Sequence, residues 1–463
     1  MRAKILLMAL ALIGAGGWTA TSALADDIHT HELDNGLRVV VLENHRAPVV
    51  VNQIWYRVGS VDEYRGVTGI SHALEHMMFK GTDNLESGEF SRRVARHGGR
   101  DNAFTSRDFT GYHQTIAADR LPMLLTMEAD RMSNLILRDD EFQPEMRVVQ
   151  EERRERVDDQ PQSLLWERIR ATAFPSSPAR LPIIGWQSDL EAMEVADLQK
   201  WYDRWYGPNN AVLVVAGAVT ADEVFALAED AFGAIEPIDL PRRLPLEEIE
   251  PDGEQRLELH APARVPYLGM AWRLPSLTTL DEPDDAWALS VLAGVLDAGR
   301  SGRIDRRVVR EQQIATSASA GYSPFNRGET LFTVAGTPAG DHAVDDLETA
   351  LRDEIERLQT ELVDDDELER VQTRTRASQV FELDSVSGRA RRIAQLEALG
   401  LGHQSWDEYL DGIAGVTAED VQRVAKEYLT DKRLTVGVLV PDGAPAPGQQ
   451  GDVSAGGEDY VDH

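Results

Sequence analysis

The stretch His72-Ala73-Leu74-Glu75-His76 places two histidines and a glutamate within five residues. On a helix, side chains four positions apart lie on one face, because the helical period is about 3.6 residues. His72 and His76 can then bind one tetrahedral zinc ion. Glu75 reaches the same face and is free to act as a general base if another carboxylate completes the metal site. The pentapeptide therefore predicts a helical zinc site with a base beside it.

The length and charge of the chain limit its class. With 463 residues it exceeds one ordinary core, which suggests two or more domains. Acidic residues number 79 and basic residues 47, so the formal net charge is −32. Nucleic-acid binding requires a basic face, and we therefore expect no nucleic-acid partner.

The first 25 residues have the pattern of a signal peptide. Arg2 and Lys4 precede an apolar run at 5–13, and Ala23-Leu24-Ala25 is a cleavage site of the A-x-A type. We expect cleavage after Ala25, with an uncleaved anchor as the alternative. Cysteine is absent, which excludes disulfides and a lipoprotein cysteine. We also expect no membrane span, and a product that is periplasmic or secreted.

Strand and helix patterns alternate along the rest of the chain. Residues 31–42 predict a hairpin around Asn35-Gly36, and 49–58 is a second β-rich run. Helical patterns cover 121–135 and 141–157.

An internal repeat relates the two ends of the chain. A helix, a turn and a strand near 195–215 recur near 417–441, with the same offset of 223 positions between corresponding residues. The shared offset predicts two copies of one α+β unit. The second copy does not repeat the metal motif, because residues 287–294 contain no side chain that binds zinc. The corresponding pairs are Asp197 and Asp420, Leu198 and Val421, Trp205 and Tyr428, and Leu213 and Val436.

With this motif, the acidic pair Glu151-Glu152 and two similar halves, the chain resembles the M16 family of pitrilysin-type, inverzincin metallopeptidases. It resembles the shorter M16B branch of bacterial processing-peptidase-like proteins. The H-x-x-E-H order is the inverted form of the commoner zinc-protease motif. The resemblance covers nearly all of the mature chain and is carried by residues 33–37, 69–82, 102–105 and 149–154.

The resemblance implies a third zinc ligand, a glutamate on a later helix. Glu152 matches that position best, and Glu151 is the alternative, because a shift of one residue in the spacing is possible. Only one of the two can face the metal, since neighbours on a helix point about 100° apart. Glu145 lies two turns before Glu152 and matches a residue that supports a histidine ligand from behind. One Zn²⁺ per chain is implied.

The implied fold class is α+β. Two homologous domains, each a mostly antiparallel sheet packed with helices, would form half of a clamshell. The expected division is a signal peptide at 1–25, an M16 domain with the zinc site at 26–235 and a linker at 236–255. A C-terminal M16-like domain without the metal motif follows at 256–441, and a disordered tail at 442–463.

Peptide substrates are expected along an edge strand beside the site, where Asn102 and Ala103 match positions that line the family's cleft. Active M16 sites often receive an Arg and a Tyr in the pattern R-x(6)-Y. Arg310 matches the arginine as a substrate-binding residue, but Thr316 or Ser317 stands where the tyrosine is expected, and Tyr322 is out of place. We therefore expect a related M16 subunit to supply the pair in a heterodimer, with a homodimer as the alternative.

The function predicted from these features is zinc-dependent endopeptidase activity with Glu75 as the general base. One alternative is a non-catalytic M16-like subunit that serves in assembly or binds peptides. Another is a peptide-binding clamp with a structural zinc. Both are disfavoured because the set of ligands and base is complete.

Overall fold

A computed structural model of the chain describes residues 28–243, 245–382, 385–443 and 460–462. For 379–382 and 460–462 it describes the backbone alone. The expected signal peptide at 1–25 lies outside the described residues.

The first half contains six strands and eight α-helices among its described residues. In chain order they are β1 (Ile28–Glu32), β2 (Arg38–Glu43), β3 (Val49–Tyr56), α1 (Ile70–Met77), α2 (Glu89–Arg96), β4 (Arg100–Ser106), β5 (Thr110–Ala117), α3 (Leu121–Ser133), α4 (Asp139–Arg153), α5 (Pro161–Ala173), α6 (Gln187–Ala192), α7 (Val195–Trp205), β6 (Ala211–Gly217) and α8 (Ala221–Phe232). A π-helical turn, Arg154–Asp158, continues α4.

The second half adds six strands and six α-helices within the described ranges. They are β7 (Gln255–Ala261), β8 (Tyr267–Leu274), α9 (Asp284–Leu296), β9 (Ala315–Gly321), β10 (Thr330–Pro338), α10 (Val344–Thr360), α11 (Asp365–Glu382), α12 (Val386–Ala398), α13 (Ser405–Gly415), α14 (Ala418–Tyr428), β11 (Leu434–Pro441) and β12 (Tyr460–Asp462). A π-helical segment, Ile304–Glu311, precedes β9.

The strands form two mostly antiparallel sheets with matching strand orders. The first sheet is ordered β1-β2-β6-β3-β5-β4-β12 and the second β7-β11-β8-β10-β9. The pairs β2–β6 and β7–β11 are parallel. The predicted hairpin is present, since β1 pairs with β2 across Asn35-Gly36. The predicted α+β class with two sheet-and-helix units is confirmed.

The internal repeat appears at the predicted spacing. Helix α7 begins at Val195 and α14 at Ala418, while β6 begins at Ala211 and β11 at Leu434. Both pairs differ by the offset of 223 read from the sequence. The strand orders match when β2, β6, β3, β5 and β4 are aligned with β7, β11, β8, β10 and β9. Helix α1 follows β3 and α9 follows β8, so α9 occupies the place of the zinc-motif helix.

The two halves exchange helices. Helix α5 packs against β8 and β11 of the second sheet, and α12 packs against β3 and β6 of the first. The fully buried Leu165 and Ile169 carry the α5 contact. Gly437 provides the space, because a Cβ atom at this position would lie 2.6 Å from Ile169 Cγ1. The halves therefore share cores.

The connection between the halves is anchored at several points. Between α8 and β7 the described residues form no helix or strand. Arg243 from this connection binds Asp62 at 2.5 Å, and Arg327 from the second half binds the same carboxylate at 2.9 Å. Glu248 accepts the Ser177 backbone N–H at 2.7 Å. Arg273 of β8 donates to the Ile249 carbonyl at 2.7 Å, so the expected linker at 236–255 is fastened to both halves. Its last residue already belongs to β7.

The end of the chain departs from the expected disordered tail at 442–463. Residues 460–462 form β12, which pairs with β4. Backbone pairing along an open strand edge orders a segment whose composition alone indicated disorder. Residues 444–459 and 463 lie outside the described residues. No helix among the described residues is long and apolar enough to cross a membrane.

Candidate metal centre

Helix α1 begins at a crowded, capped turn. Gly69, at its N-terminus, has φ of 82°, and a Cβ atom there would lie 2.5 Å from the Ile184 carbonyl oxygen. The buried Glu63 carboxylate accepts the N–H groups of Gly69 at 2.7 Å and Ser71 at 2.9 Å. These bonds satisfy donors that a helix start leaves open. Burial raises the pKa of Glu63 to about 7 despite these bonds.

Three candidate ligands from two helices converge. His72 and His76 lie on the buried face of α1, and Glu152 reaches them from α4. Glu152 Oε2 lies 3.5 Å from His72 Nε2 and 3.4 Å from His76 Nε2. Ligand atoms around a tetrahedral zinc ion, with bonds of about 2.1 Å, lie about 3.4 Å apart. Two imidazoles and one carboxylate at these separations fit a catalytic zinc site.

Glu145 supports His76 from behind. Its Oε1 lies 2.8 Å from His76 Nδ1, and its other oxygen pairs with Lys80. Burial would lower the pKa of His76, but hydrogen bonds to Glu145 and Glu152 and the charge of Glu75 raise it to about 9. Burial would raise the pKa of Glu145, but its bonds to His76 and Lys80 lower it to about 2. Glu145 therefore stays ionised and directs Nε2 of His76 toward the site.

The two neighbouring glutamates have different surroundings. Glu152 Oε1 forms an ion pair with Arg156, whose Nε lies 3.0 Å away, and this pairing orients the carboxylate. Glu151 is exposed and binds Arg154 on the outer face of α4. Of the two alternatives left open by the sequence, the structure brings Glu152 to the histidines and leaves Glu151 at the surface.

Glu75 is fully buried beside the three ligands. Thr105 Oγ1 on β4 donates a hydrogen bond to Glu75 Oε2 at 2.5 Å. This bond fixes the carboxylate between the metal-binding face of α1 and strand β4. A carboxylate held there can accept a proton from a water in the site.

Of the residues expected to bind substrate, Asn102 and Ala103 lie on the strand beside the site, whereas Arg310 lies in another segment. Asn102 and Ala103 lie on β4, opposite His113 and Tyr112 of β5. The Ala103 side chain is fully buried, so only its backbone can face a substrate. Both residues precede the part of β4 that pairs with β12.

Arg310 is far along the chain from this strand and binds its own segment. It donates to Asp305 Oδ2 at 2.7 Å and to the Arg300 carbonyl at 2.6 Å. Ser317 lies exposed on β9, and Tyr322 donates inward to the Pro275 carbonyl at 2.7 Å. Within the described ranges, these hydrogen bonds and the ion pair hold Arg310 against Asp305 and Arg300, and neither is one of the three ligands or Glu75.

Three residues of the site were not predicted. Lys80 and Arg156 each follow a predicted site residue by four positions, a helical spacing that could have indicated both. Thr105 lies within the family-like stretch 102–105, but the sequence does not show which strand residue contacts the base.

Comparisons with known proteins place both halves in one family. Residues 38–186 match the family model "Insulinase (Peptidase family M16)", and residues 192–375 match "Peptidase M16 inactive domain". The second description agrees with the absence of a metal motif at 287–294.

Several relatives align over most of the chain. The zinc protease PqqE of Helicobacter pylori is 30% identical, with 88% of this chain and 92% of the relative covered. A probable mitochondrial-processing peptidase subunit beta of Schizosaccharomyces pombe is 26% identical, with coverages of 91% and 92%.

Solved structures share the architecture. A protease from Helicobacter pylori has a TM-score of 0.84 at 29% identity, covering 89% of this chain and 99% of that one. The first half of the periplasmic protease PqqL from Escherichia coli has a TM-score of 0.75 at 19% identity, with coverages of 90% and 92%. Together with the two family-model matches, these alignments show that the protein belongs to peptidase family M16.

Proposed function

We propose that the protein is a zinc-dependent endopeptidase. The observation that supports this most directly is the convergence of His72, His76 and Glu152, whose candidate ligand atoms lie within 4.8 Å of one another, with Glu75 buried beside them. A structural zinc site would not require a base held at this position. We propose one Zn²⁺ per chain, bound by these three residues.

Zinc bound here would act as a Lewis acid that acidifies a water molecule and polarises the scissile carbonyl. Glu75 removes a proton from the attacking water, and its bond from Thr105 keeps the carboxylate aimed at the site. Glu75 then delivers that proton to the leaving amine. Glu145 holds His76 with Nε2 toward the ligands, and Arg156 holds Glu152. No covalent intermediate with the protein is required.

The substrates we propose are extended peptides that add to β4 through main-chain hydrogen bonds. Asn102 and Ala103 would contribute to this edge, Ala103 through its backbone. We also propose that a related M16 subunit, or a second copy of this chain, supplies a substrate-binding Arg and Tyr. Two observations support the need for a partner: Arg310 is bound to its own segment, and Tyr322 points inward.

We propose a periplasmic or secreted location after cleavage of residues 1–25. The support is the charged start, the short apolar run and the A-x-A site in the sequence.

The test of the peptidase function compares wild type, Glu75→Gln and the surface control Glu151→Gln. Each is assayed for zinc content and for cleavage of a mixture of unstructured peptides. We expect about one zinc per chain in all three and a loss of about 10²–10⁴-fold in cleavage for Glu75→Gln alone. Unchanged cleavage in Glu75→Gln would refute the mechanism. Zinc binding without cleavage in wild type, alone and with a candidate partner, would favour the non-catalytic peptide-binding or assembly subunit.

A further inference from the structure

Strand β12 occupies the outer edge of β4. Tyr460 lies opposite Ser106, Val461 opposite Thr105 and Asp462 opposite Phe104, in antiparallel register. The other edge of β4 is paired with β5, so β12 takes the edge that remains. A strand edge accepts one neighbour at a time, because each N–H and C=O along it forms one ladder bond.

The paired residues lie directly beside the proposed general base. Val461 is opposite Thr105, and Thr105 is the residue that donates to Glu75. A peptide that places its backbone along this part of β4 requires the same ladder positions. We propose that segment 460–462 is a built-in occupant of the peptide-binding edge, which substrates must displace before they are cleaved. This proposal rests on the proposed peptidase function.

The covalent connection between β11 and β12 favours pairing of β12 with the edge of β4. Residues 442–459 join β11 to β12, and a chain of this length can span at most about 60 Å. A tether of this length gives segment 460–462 an effective concentration at the β4 edge of roughly millimolar. Even a weak pairing of three residues then competes with micromolar peptides in solution.

Charge complementarity also favours this occupant. A cavity of about 120 Å³ lies between α5, the turn after α4 and β10, and its lining includes Arg107, Arg156, Arg170 and Arg180. Arg107 directly follows Ser106, the residue opposite Tyr460, and Arg156 binds Glu152. The one acidic side chain of the lining, Glu167, is bound by Arg153 at 2.9 Å. In a chain with net charge −32, this is a locally basic region.

The sequence of the segment matches that basic region. Glu458, Asp459 and Asp462 give residues 458–462 three acidic groups and no basic one. Opposite charges favour encounter and register, and their effect falls as salt rises. The inference therefore extends to substrates, since a peptide that displaces the segment best would share its acidic, extended character.

The test keeps the full chain and changes the pairing alone. In one variant Tyr460 and Val461 are both replaced by proline, because one of two successive residues directs its N–H to the partner strand and proline has none. The matched control replaces Val453 and Ser454 by proline, outside the paired residues. We expect the KM for an unstructured peptide to fall about tenfold in the first variant and to stay unchanged in the control.

A second measurement does not depend on catalysis. Amide hydrogen exchange of residues 104–106 is compared between the same variants, each also carrying Glu75→Gln. Faster exchange in the Tyr460/Val461 variant alone supports occupancy even if no peptidase activity is found. Equal KM together with equal exchange would overturn the proposal. Removal of the segment by wild type, but not by Glu75→Gln, would also overturn it, since the segment would then be a substrate.

Discussion

Replacing Glu145 by Gln tests how much the contact between Glu145 and His76 contributes to zinc affinity. The carboxylate lies 2.8 Å from His76 Nδ1 and pairs with Lys80. Loss of such a partner typically weakens metal binding about 10–100-fold, or about 1.4–2.7 kcal/mol. Lys80 would also lose its ion pair near the site, which adds to the loss because its charge repels the ion.

The size of this effect should depend on pH. In the metal-free protein the pKa of His76 is raised to about 9, so at pH 7 a proton must leave before zinc can bind. The Gln variant lacks the carboxylate that raises this pKa, so its zinc competes with fewer protons at pH 7. The loss in zinc affinity should therefore be smaller at pH 7 and reach its full value above pH 9, where His76 is neutral in both proteins.

Competition with a chelator of known affinity measures this zinc binding at both pH values. Glu151→Gln is the matched control, since it makes the same change on the exposed face of the same helix and should leave the affinity unchanged. If Glu145→Gln binds zinc as tightly as wild type above pH 9, the supporting role assigned to Glu145 is wrong.

Three further changes address the base, the shared core and a buried ion pair. Thr105→Val should lower kcat about tenfold or more at unchanged zinc content, because a hydrogen bond to a charged group is lost; Thr105→Ser should restore most of it. Ile169→Ala should reduce the free energy of unfolding in urea by about 2–5 kcal/mol, whereas Arg168→Ala, at an exposed position of the same helix, should be nearly neutral. Arg131→Met should reduce the free energy of unfolding by about 3–5 kcal/mol, since it leaves the buried Glu128 carboxylate without its ion-pair partner. A double variant that also carries Glu128→Met should unfold at a higher urea concentration than Arg131→Met alone.

The histidine pair and the base of the candidate metal centre could be predicted from local spacing. His72 and His76 share a helical face at any orientation of α1, so the pair follows from the 3.6-residue period. Glu145 and Glu152 lie two turns apart on α4, and the resemblance to the M16 family, rather than spacing, implied that both lie near the histidines. The choice between Glu151 and Glu152 required the placement of α4 against α1, which only tertiary packing provides.

The remaining contacts depend on long-range geometry. Thr105 contacts Glu75 because β4 passes α1 at that residue, and strand alternation alone does not fix that crossing point. Segment 460–462 was expected to be disordered because the end of the chain, from Pro441 to His463, is rich in Gly, Ala, Pro and Asp. Its pairing with β4 depends on an open edge more than 350 residues earlier in the chain.

The repeat was predictable because a shared offset of 223 positions relates a helix and a strand in both halves. The order of strands within each sheet was not predicted, because it depends on pairing between segments distant in the chain. The exchange of α5 and α12 was not predicted. An amphipathic helix shows that it must cover a sheet, but not which of two similar sheets it covers.

The exchange of α5 and α12 resembles domain swapping, except that the two units that exchange helices belong to one chain. Each half leaves one of its own helices on the other half, so separating them would expose Leu165 and Ile169 to water. The halves cannot act as independent jaws, and isolated halves should not fold to stable structures. Under the proposed peptidase function, a peptide would reach the site through movement of a separate partner chain, or through release of a peripheral strand such as β12, while the two sheets of this chain stay fixed relative to each other.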